Sequence, residues 1–140
     1  MSFMKTVAKA LVIDKQGSIL VLRRSGTHPH FPYHLDFPGG EVEEGEDPKS
    51  AVAREIKEET SLTVEPSELA LCFQKVLPDA LTHILLTTSV NDIQPKIVVS
   101  WEHDKHSWLA LGALLREPLP PNADSYYVDV IKWLSSRPAS

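Results

Sequence analysis

This 140-residue chain has one cysteine, no long apolar run and no excess of basic charge. The single cysteine, Cys72, excludes an internal disulfide and predicts a reducing, cytoplasmic location. The apolar run after Lys9, ALVI, is too short for a signal-peptide core or a membrane span, so we expect no membrane association. Acidic residues outnumber basic ones by 19 to 14, which argues against broad nucleic-acid binding, since such surfaces are basic.

The order of β-prone and helical stretches predicts one domain, residues 1–140, of α/β class. One helix is predicted from the N-cap Asp47 and Pro48 through Glu59, and a second at Ser125–Ser135, capped by Asn122 or Asp124. The segments 25–34 and 101–108 are predicted loops, and the first is long enough to suggest ligand contact. Strands are predicted at 5–14, 18–24, 35–38, 62–64, 69–77, 81–90, 97–101 and 108–111.

Negative charge is concentrated in residues 40–62, GEVEEGEDPKSAVAREIKEETSL. This segment holds eight of the 19 acidic residues and three basic ones, so its net charge of −5 equals that of the whole chain. A local excess of this size within an otherwise neutral domain indicates a cation site.

The spacing of Glu55, Glu58 and Glu59 places three carboxylates on one face of the predicted helix. The last two lie at the negative end of the helix dipole, where each acid costs about 0.3–1 kcal/mol. A solvated acidic face with no metal is the alternative. Because every ligand offered is oxygen, the metal should be Mg²⁺, with Mn²⁺ as a possible substitute.

The same residues resemble the signature of the Nudix hydrolase family, in its MutT-like form. Gly40, Glu46 and the run REIKEETSL at 54–62 match G, five residues, E, seven residues, R-E-U-x-E-E-x-G-U, where U is a bulky aliphatic residue. The one departure is Ser61, which stands where the pattern has glycine. A left-handed helix end there would cost serine about 1 kcal/mol, so we expect lower stability and unchanged chemistry.

The resemblance implies a Nudix-type α/β/α sandwich with a mixed sheet. It also implies hydrolysis of a nucleoside diphosphate linked to another group. Metal ligands would be Glu55, Glu58, Glu59 and the carbonyl of Gly39 or Gly40, and these glutamates would also be catalytic. Glu46 and Arg54 would orient the carboxylates. A further carboxylate usually lies on a later loop in this family.

Candidates for that carboxylate are Glu102 first and Asp104 second, with a plain surface loop as the alternative. His103 and His106 are interpreted as surface histidines or substrate contacts. Arg23 resembles the family's phosphate-binding position, and Arg24 is the other possibility. The aromatic candidates for substrate stacking are Phe31, Tyr33, Trp101 and Trp108.

The substrate is predicted to be a nucleoside triphosphate, from the short chain and its PGG segment. Pro78, sixteen residues beyond the signature, leaves ADP-ribose or a nucleotide sugar as an alternative. A third possibility is a domain that senses nucleotides without catalysis. A small-molecule nucleotide partner is expected in each case, and the family also makes a homodimer possible.

Overall fold

A computed structural model describes residues 5–137 of the chain. These residues form seven strands, three α-helices and one 3₁₀ turn at Pro66–Glu68. The strands are β1 (Lys5–Ile13), β2 (Ile19–Arg24), β3 (Leu35–Asp36), β4 (Gly39–Glu41), β5 (Ala70–Val76), β6 (Leu81–Ser89) and β7 (His103–Leu109). The helices are α1 (Pro48–Thr60), α2 (Leu111–Arg116) and α3 (Ser125–Ser135).

All seven strands belong to one mixed sheet, with the central order β3-β2-β1-β6-β5. Strand β1 runs parallel to β6 from Lys5↔Leu81 to Ile13↔Ser89 and antiparallel to β2 and β4. Strand β7 pairs with the full length of β2. The short β4 lies beside the N-terminal half of β1, so the chain enters α1 from the middle of the sheet.

Helix α1 covers one face of this sheet and α3 covers the other, so the predicted α/β/α sandwich is confirmed. The α1 side is packed by Val52 and Ile56 against alternate residues of β1, β2 and β6. The α3 side is packed by Tyr127, Val130 and Leu134 against the intervening residues of the same strands, together with Phe37. The two-residue period of the strands thus gives two separate apolar layers.

The helix bounds predicted from local signals agree with the structure. The Asp47 side chain accepts hydrogen bonds from the backbone N–H groups of Lys49 and Ser50, and Pro48 takes the first position of α1. Helix α3 has the predicted bounds, and of its two candidate caps Asp124 is the one used, since it accepts from the Tyr126 N–H. Within residues 5–137, no helix combines the length and apolar character needed to cross a membrane.

Several predictions about strands and loops were wrong. The predicted loop at 101–108 is mostly β7, because pairing with β2 overrides its polar composition. The expected strands at 62–64 and 97–101 are irregular, although Ile97 is buried. Residues 39–41 form β4, and the end of the expected strand at 108–111 begins the unpredicted helix α2.

Candidate active site

The last two turns of α1 face the backbone of β4. The Glu59 side chain is buried and accepts a hydrogen bond from the Gly39 N–H at 2.8 Å. Glu55 lies over Gly40, where an added Cβ would come within 3.6 Å of the Glu55 carboxyl carbon. Glu58 is exposed on the outer side of the same face. The 3.6 Å contact at Gly40 is an ordinary one, so glycine is not required there, whereas a Cβ at Gly39 would lie 2.4 Å from the backbone of Ala8 and Lys9. Glycine at position 39 therefore lets β4 pair closely with β1.

Arg54 connects these glutamates to the segment before the helix. Its Nε and Nη2 both donate to the Glu46 carboxylate at 3.1 Å, and its Nη1 donates to Glu55 Oε1 at 3.0 Å. The same Nη1 lies 3.6 Å from Glu58 Oε1. These contacts link Glu46, Arg54 and Glu55, while the orienting role of Arg54 and Glu46 stays a prediction.

Burial disfavours the ionised form of two carboxylates in this site. It raises the pKa of Glu59 to about 9, with further contributions from the nearby charges of Asp36 and Glu55. Burial also raises the pKa of Glu55, opposed by Arg54 and reinforced by Glu58 and Glu102. A divalent cation would relieve both effects.

The donor set fits a hard metal ion, because the side chains that lie together on this face of α1 are carboxylates. In the described part of the chain, no group of three or more His, Cys, Asp or Glu side chains already has metal-binding geometry. The residues therefore supply the oxygen atoms that Mg²⁺ prefers, but they are not arranged as a complete set of metal ligands.

A buried ionic cluster lies directly beneath these glutamates. Lys9 Nζ and Arg24 Nε both donate to the Asp36 carboxylate, at 2.5 and 3.2 Å. Burial alone would raise the pKa of Asp36, but the charges of Lys9 and Arg24 and the hydrogen bond from His103 hold it well below its usual range. Asp36 is therefore a buried anion, held on the short strand β3 beside β2.

His103 joins this cluster to the helix glutamates, so its interpretation as a surface residue was wrong. Its Nε2 lies 3.1 Å from Asp36 Oδ2 and its Nδ1 lies 3.5 Å from Glu59 Oε2. Since an ionised carboxylate only accepts, Nε2 carries the proton that is shared with Asp36. Nδ1 is buried and makes no hydrogen bond within residues 5–137.

A cavity of about 470 Å³ runs from Glu59 to the start of α3, whereas Glu55 lines a separate, larger pocket beside Glu46 and Thr82. Glu58 lines neither of these two cavities. Glu59, Glu102 and Gly40 line one end, while Tyr126 and His83 line the other. The segment from His28 to Phe31 forms part of the wall, as the long loop before β3 was predicted to do. The volume lies within the range of small-molecule sites.

Some of the predicted site residues face this cavity. Arg24 lines it while bonded to Asp36, to the His30 carbonyl and to Asp124. Phe31 also lines it, with its ring 5.5 Å from the Arg24 guanidinium. The Glu102 side chain reaches the acidic end, 3.8 Å from His28 Nε2.

Other predicted substrate contacts lie outside the cavity. Arg23 donates two hydrogen bonds to Asp104, at 2.8 and 2.6 Å, and its guanidinium stacks on the Tyr33 ring. Tyr33 and Trp101 are both exposed. None of these residues lines the cavity.

Sequence reasoning missed Lys9, Asp36, His83, Asp124 and Tyr126 as residues of the cavity. One usable signal was Lys9, a charged residue in the middle of the β-prone run TVAKALVI. Buried lysines are almost always paired, so this position predicts a buried anion nearby. The partner itself is 27 residues away in the chain and has no local signal.

Comparisons with known proteins agree with this geometry. The sequence profile of the NUDIX domain matches residues 4–134. The chain is 29% identical over 115 residues to the 8-oxo-dGTP diphosphatase of Escherichia coli, covering 82% of this chain and 87% of that protein. It is 32% identical over 108 residues to the ADP-sugar pyrophosphatase of Mus musculus, covering 65% of this chain and half of that protein.

The solved structure of a MutT protein from Methanosarcina mazei superposes with a TM-score of 0.70 at 28% identity. It covers 93% of this chain and 91% of the other. An Ap4A hydrolase from Caenorhabditis elegans, at 22% identity and a TM-score of 0.61, shares the fold. The chain therefore belongs to the Nudix family, as a MutT-like pyrophosphohydrolase.

Proposed function

We propose that the protein hydrolyses a nucleoside triphosphate to a monophosphate and pyrophosphate with the help of Mg²⁺. The observation that carries this proposal is the cavity that runs from Glu59 of α1, with its acidic residues at one end, to the rings of Tyr126 and His83 at the start of α3. A nucleotide has the same division, with charged phosphates at one end and a flat base at the other. The similarity to the 8-oxo-dGTP diphosphatase over most of both chains supports this class of substrate.

The metal ligands would be Glu55, Glu58, Glu59 and the carbonyl of Gly40. Bound Mg²⁺ would lower the pKa of the attacking water and offset charge on the phosphates. Arg54 holds Glu55 in place by the hydrogen bond described above, and Glu46 holds Arg54. These contacts would keep the carboxylates aimed at β4.

Glu102 would act at the same end of the cavity as the additional carboxylate, either by accepting the proton of water or by binding metal. Its backbone is fixed by the hydrogen bond that its carbonyl accepts from the Ser25 N–H, at 2.8 Å. Arg24 and Phe31 would contact the substrate along the wall. Arg23, Tyr33 and Trp101 stay predicted contacts without support from the cavity.

A substrate panel tests the proposal. It contains nucleoside triphosphates, ADP-ribose, nucleotide sugars and dinucleotides, each with Mg²⁺ or Mn²⁺, and product formation is measured. We expect turnover of triphosphates and its abolition in Glu58→Gln and Glu59→Gln. Glu117→Gln, which changes an exposed glutamate after α2, is the matched control. Unchanged rates in both active-site variants would rule out the metal assignment.

The similarity to an ADP-sugar pyrophosphatase favours ADP-ribose or a nucleotide sugar as the second candidate substrate. The same panel separates the two, because cleavage of ADP-ribose yields AMP and a sugar phosphate in place of pyrophosphate. Binding without product would instead indicate a sensing domain. A protein that binds no ligand would show no thermal shift. A ligand present at 100 times its Kd would raise the free energy of unfolding by about 2.7 kcal/mol.

A further inference from the structure

His83 occupies a buried position in the cavity that the proposed chemistry does not use. It lies in the middle of β6, opposite Val7 of β1, and its side chain is 1% exposed. The ring lines the cavity and packs edge-on against Tyr126, with the ring centroids 5.0 Å apart. A polar ring at this depth requires hydrogen-bond partners for both nitrogens.

Asp129 of α3 supplies the partner for one nitrogen. Its Oδ2 lies 2.9 Å from His83 Nδ1, and its Oδ1 accepts from Lys75 Nζ at 2.9 Å. Burial opposes ionisation of Asp129, but the hydrogen bonds from Lys75 and His83 outweigh it and lower its pKa. Because an ionised carboxylate only accepts, Nδ1 carries a ring proton, and in the neutral form of the ring Nε2 is an acceptor.

Nε2 has no partner within residues 5–137. This nitrogen is not fully enclosed by the protein, so it keeps access to the cavity that the ring lines. The cavity therefore contains a buried acceptor whose tautomer is fixed by Asp129 and whose partner must be water or a ligand.

The polar groups nearby favour the same kind of ligand. Lys9 and Arg24 are already paired with Asp36, and Arg24 also donates to Asp124. The hydroxyl of Tyr126 donates to the Ile84 carbonyl and accepts from the Lys9 N–H, so it is occupied as well. Both oxygens of Asp124 already accept, from Arg24 Nη2 and from the Tyr126 N–H, so the acceptor left free is the His83 nitrogen, which suits a group that carries N–H bonds.

We propose that His83 is a specificity-determining residue whose Nε2 accepts a hydrogen bond from an N–H group of the substrate's base. This inference depends on the proposed function, because it places the base of the nucleotide beneath α3. The chemical class selected is a nucleobase with an amino or ring N–H on its edge, in preference to one without such a donor. Asp129 acts through His83 as a positioning residue.

The test compares two purine triphosphates. One is ATP or GTP, whichever is the better substrate, and the other is the triphosphate of purine riboside, whose base has no N–H. The ratio of their kcat/KM values measures selection for the donor. His83→Asn keeps a donor to Asp129 near the position of Nδ1 and removes Nε2, so we expect this ratio to fall about 3- to 10-fold.

His106→Asn is the matched control, since it makes the same change at an exposed position of β7 outside the cavity. It should leave the ratio at the wild-type value. Asp129→Asn is the second variant. Without the carboxylate, the proton of His83 is no longer held on Nδ1, although the ring itself remains. It should lower the ratio in the same direction, and its use keeps the test decisive if His83→Asn does not fold.

An unchanged ratio in the folded variants would overturn the inference, as would an equal loss for both triphosphates, which indicates packing alone. Hydrolysis of triphosphates by the wild type together with an unchanged ratio refutes only the role of His83. No triphosphate turnover by the wild type refutes the proposed function and the inference with it. Inorganic tripolyphosphate, which lacks a base, gives the reference for binding through phosphates alone.

Discussion

At the scale of residues, the protein places charged groups inside its sheet where a purely structural domain would have apolar ones. Lys9, Asp36 and Glu59 are almost fully buried within one contiguous cluster beside β4. Buried ion pairs are weak sources of stability because desolvation offsets their attraction. Their concentration next to the α1 carboxylates is therefore better explained by the site than by the fold.

Asp36→Asn should destabilise the protein by about 3–5 kcal/mol at pH 7, because it leaves Lys9 and Arg24 as buried cations without their shared anion. Urea denaturation measures this free energy of unfolding. Asp104→Asn is the control: it breaks the exposed pair with Arg23 and should cost no more than about 1 kcal/mol. Equal costs would show that the buried cluster is not special.

Glu59 should make the stability of the metal-free protein fall as pH rises. Its pKa is about 9 in the folded state and about 4.3 in an unfolded chain, so between these values the folded state binds more protons. The contribution is complete below about pH 4, declines by at most about 1.4 kcal/mol per pH unit, and is lost above pH 9.

Denaturation of the EDTA-treated protein between pH 5 and 8 measures that slope. Glu59→Gln should reduce it, since glutamine does not titrate, while Glu58→Gln at an exposed position should retain it. A wild-type slope that survives Glu59→Gln would assign the effect to another group.

At the scale of elements, α1 ends in a strained residue. Ser61 has φ = 69° and ψ = 3°, the left-handed conformation expected of the glycine that the Nudix signature has at this position. Its N–H still donates to the Lys57 carbonyl at 3.0 Å, so the helix end has its usual form. The departure from the signature thus changes the energy of the turn and leaves its geometry intact.

Ser61→Gly should therefore stabilise the protein by about 1 kcal/mol. Ser50→Gly, in the first turn of the same helix, is the matched control and should destabilise it by about 0.5 kcal/mol, because there glycine only loses helix propensity. Thermal and urea denaturation measure both. A Ser61→Gly variant less stable than the wild type would show that the weak contact of Ser61 Oγ with the Val98 carbonyl outweighs the strain.

At the scale of the whole molecule, a buried hydroxyl of α3 links the helix to two strands of the sheet. Tyr126 Oη accepts from the Lys9 N–H at 3.1 Å and donates to the Ile84 carbonyl at 2.6 Å, so it bridges β1 and β6. The same helix carries Asp129, which fixes His83. The packing of α3 therefore shapes the part of the cavity lined by His83 and Tyr126 as well as completing the core.

Tyr126→Phe should cost about 1–3 kcal/mol, because two buried backbone groups lose their partner. Tyr127→Phe is the control: the Tyr127 ring stacks on Phe37, and its hydroxyl makes no hydrogen bond within residues 5–137. That variant should stay within about 0.5 kcal/mol of the wild type. Urea denaturation measures both costs. Similar costs at the two positions would show that the hydroxyl bridge of Tyr126 does not stabilise the protein.

The sequence by itself determined what depends on neighbours in the chain. The caps and bounds of α1 and α3 follow from Asp47, Pro48 and Asp124, and the shared face of Glu55, Glu58 and Glu59 follows from helical spacing. Each of these features involves contacts within a few residues, so local propensity is enough to predict it.

Only the tertiary structure decided what depends on distant contacts. Strand β7 exists because it pairs with β2, more than 80 residues earlier, and that pairing brings His103 beneath Glu59. The register of β1, β2 and β6 decides that Arg24 and His83, and not Arg23, line the cavity. A shift of one residue in the strand pairing would move every side chain of that strand to the opposite face of the sheet. Local sequence does not fix this register.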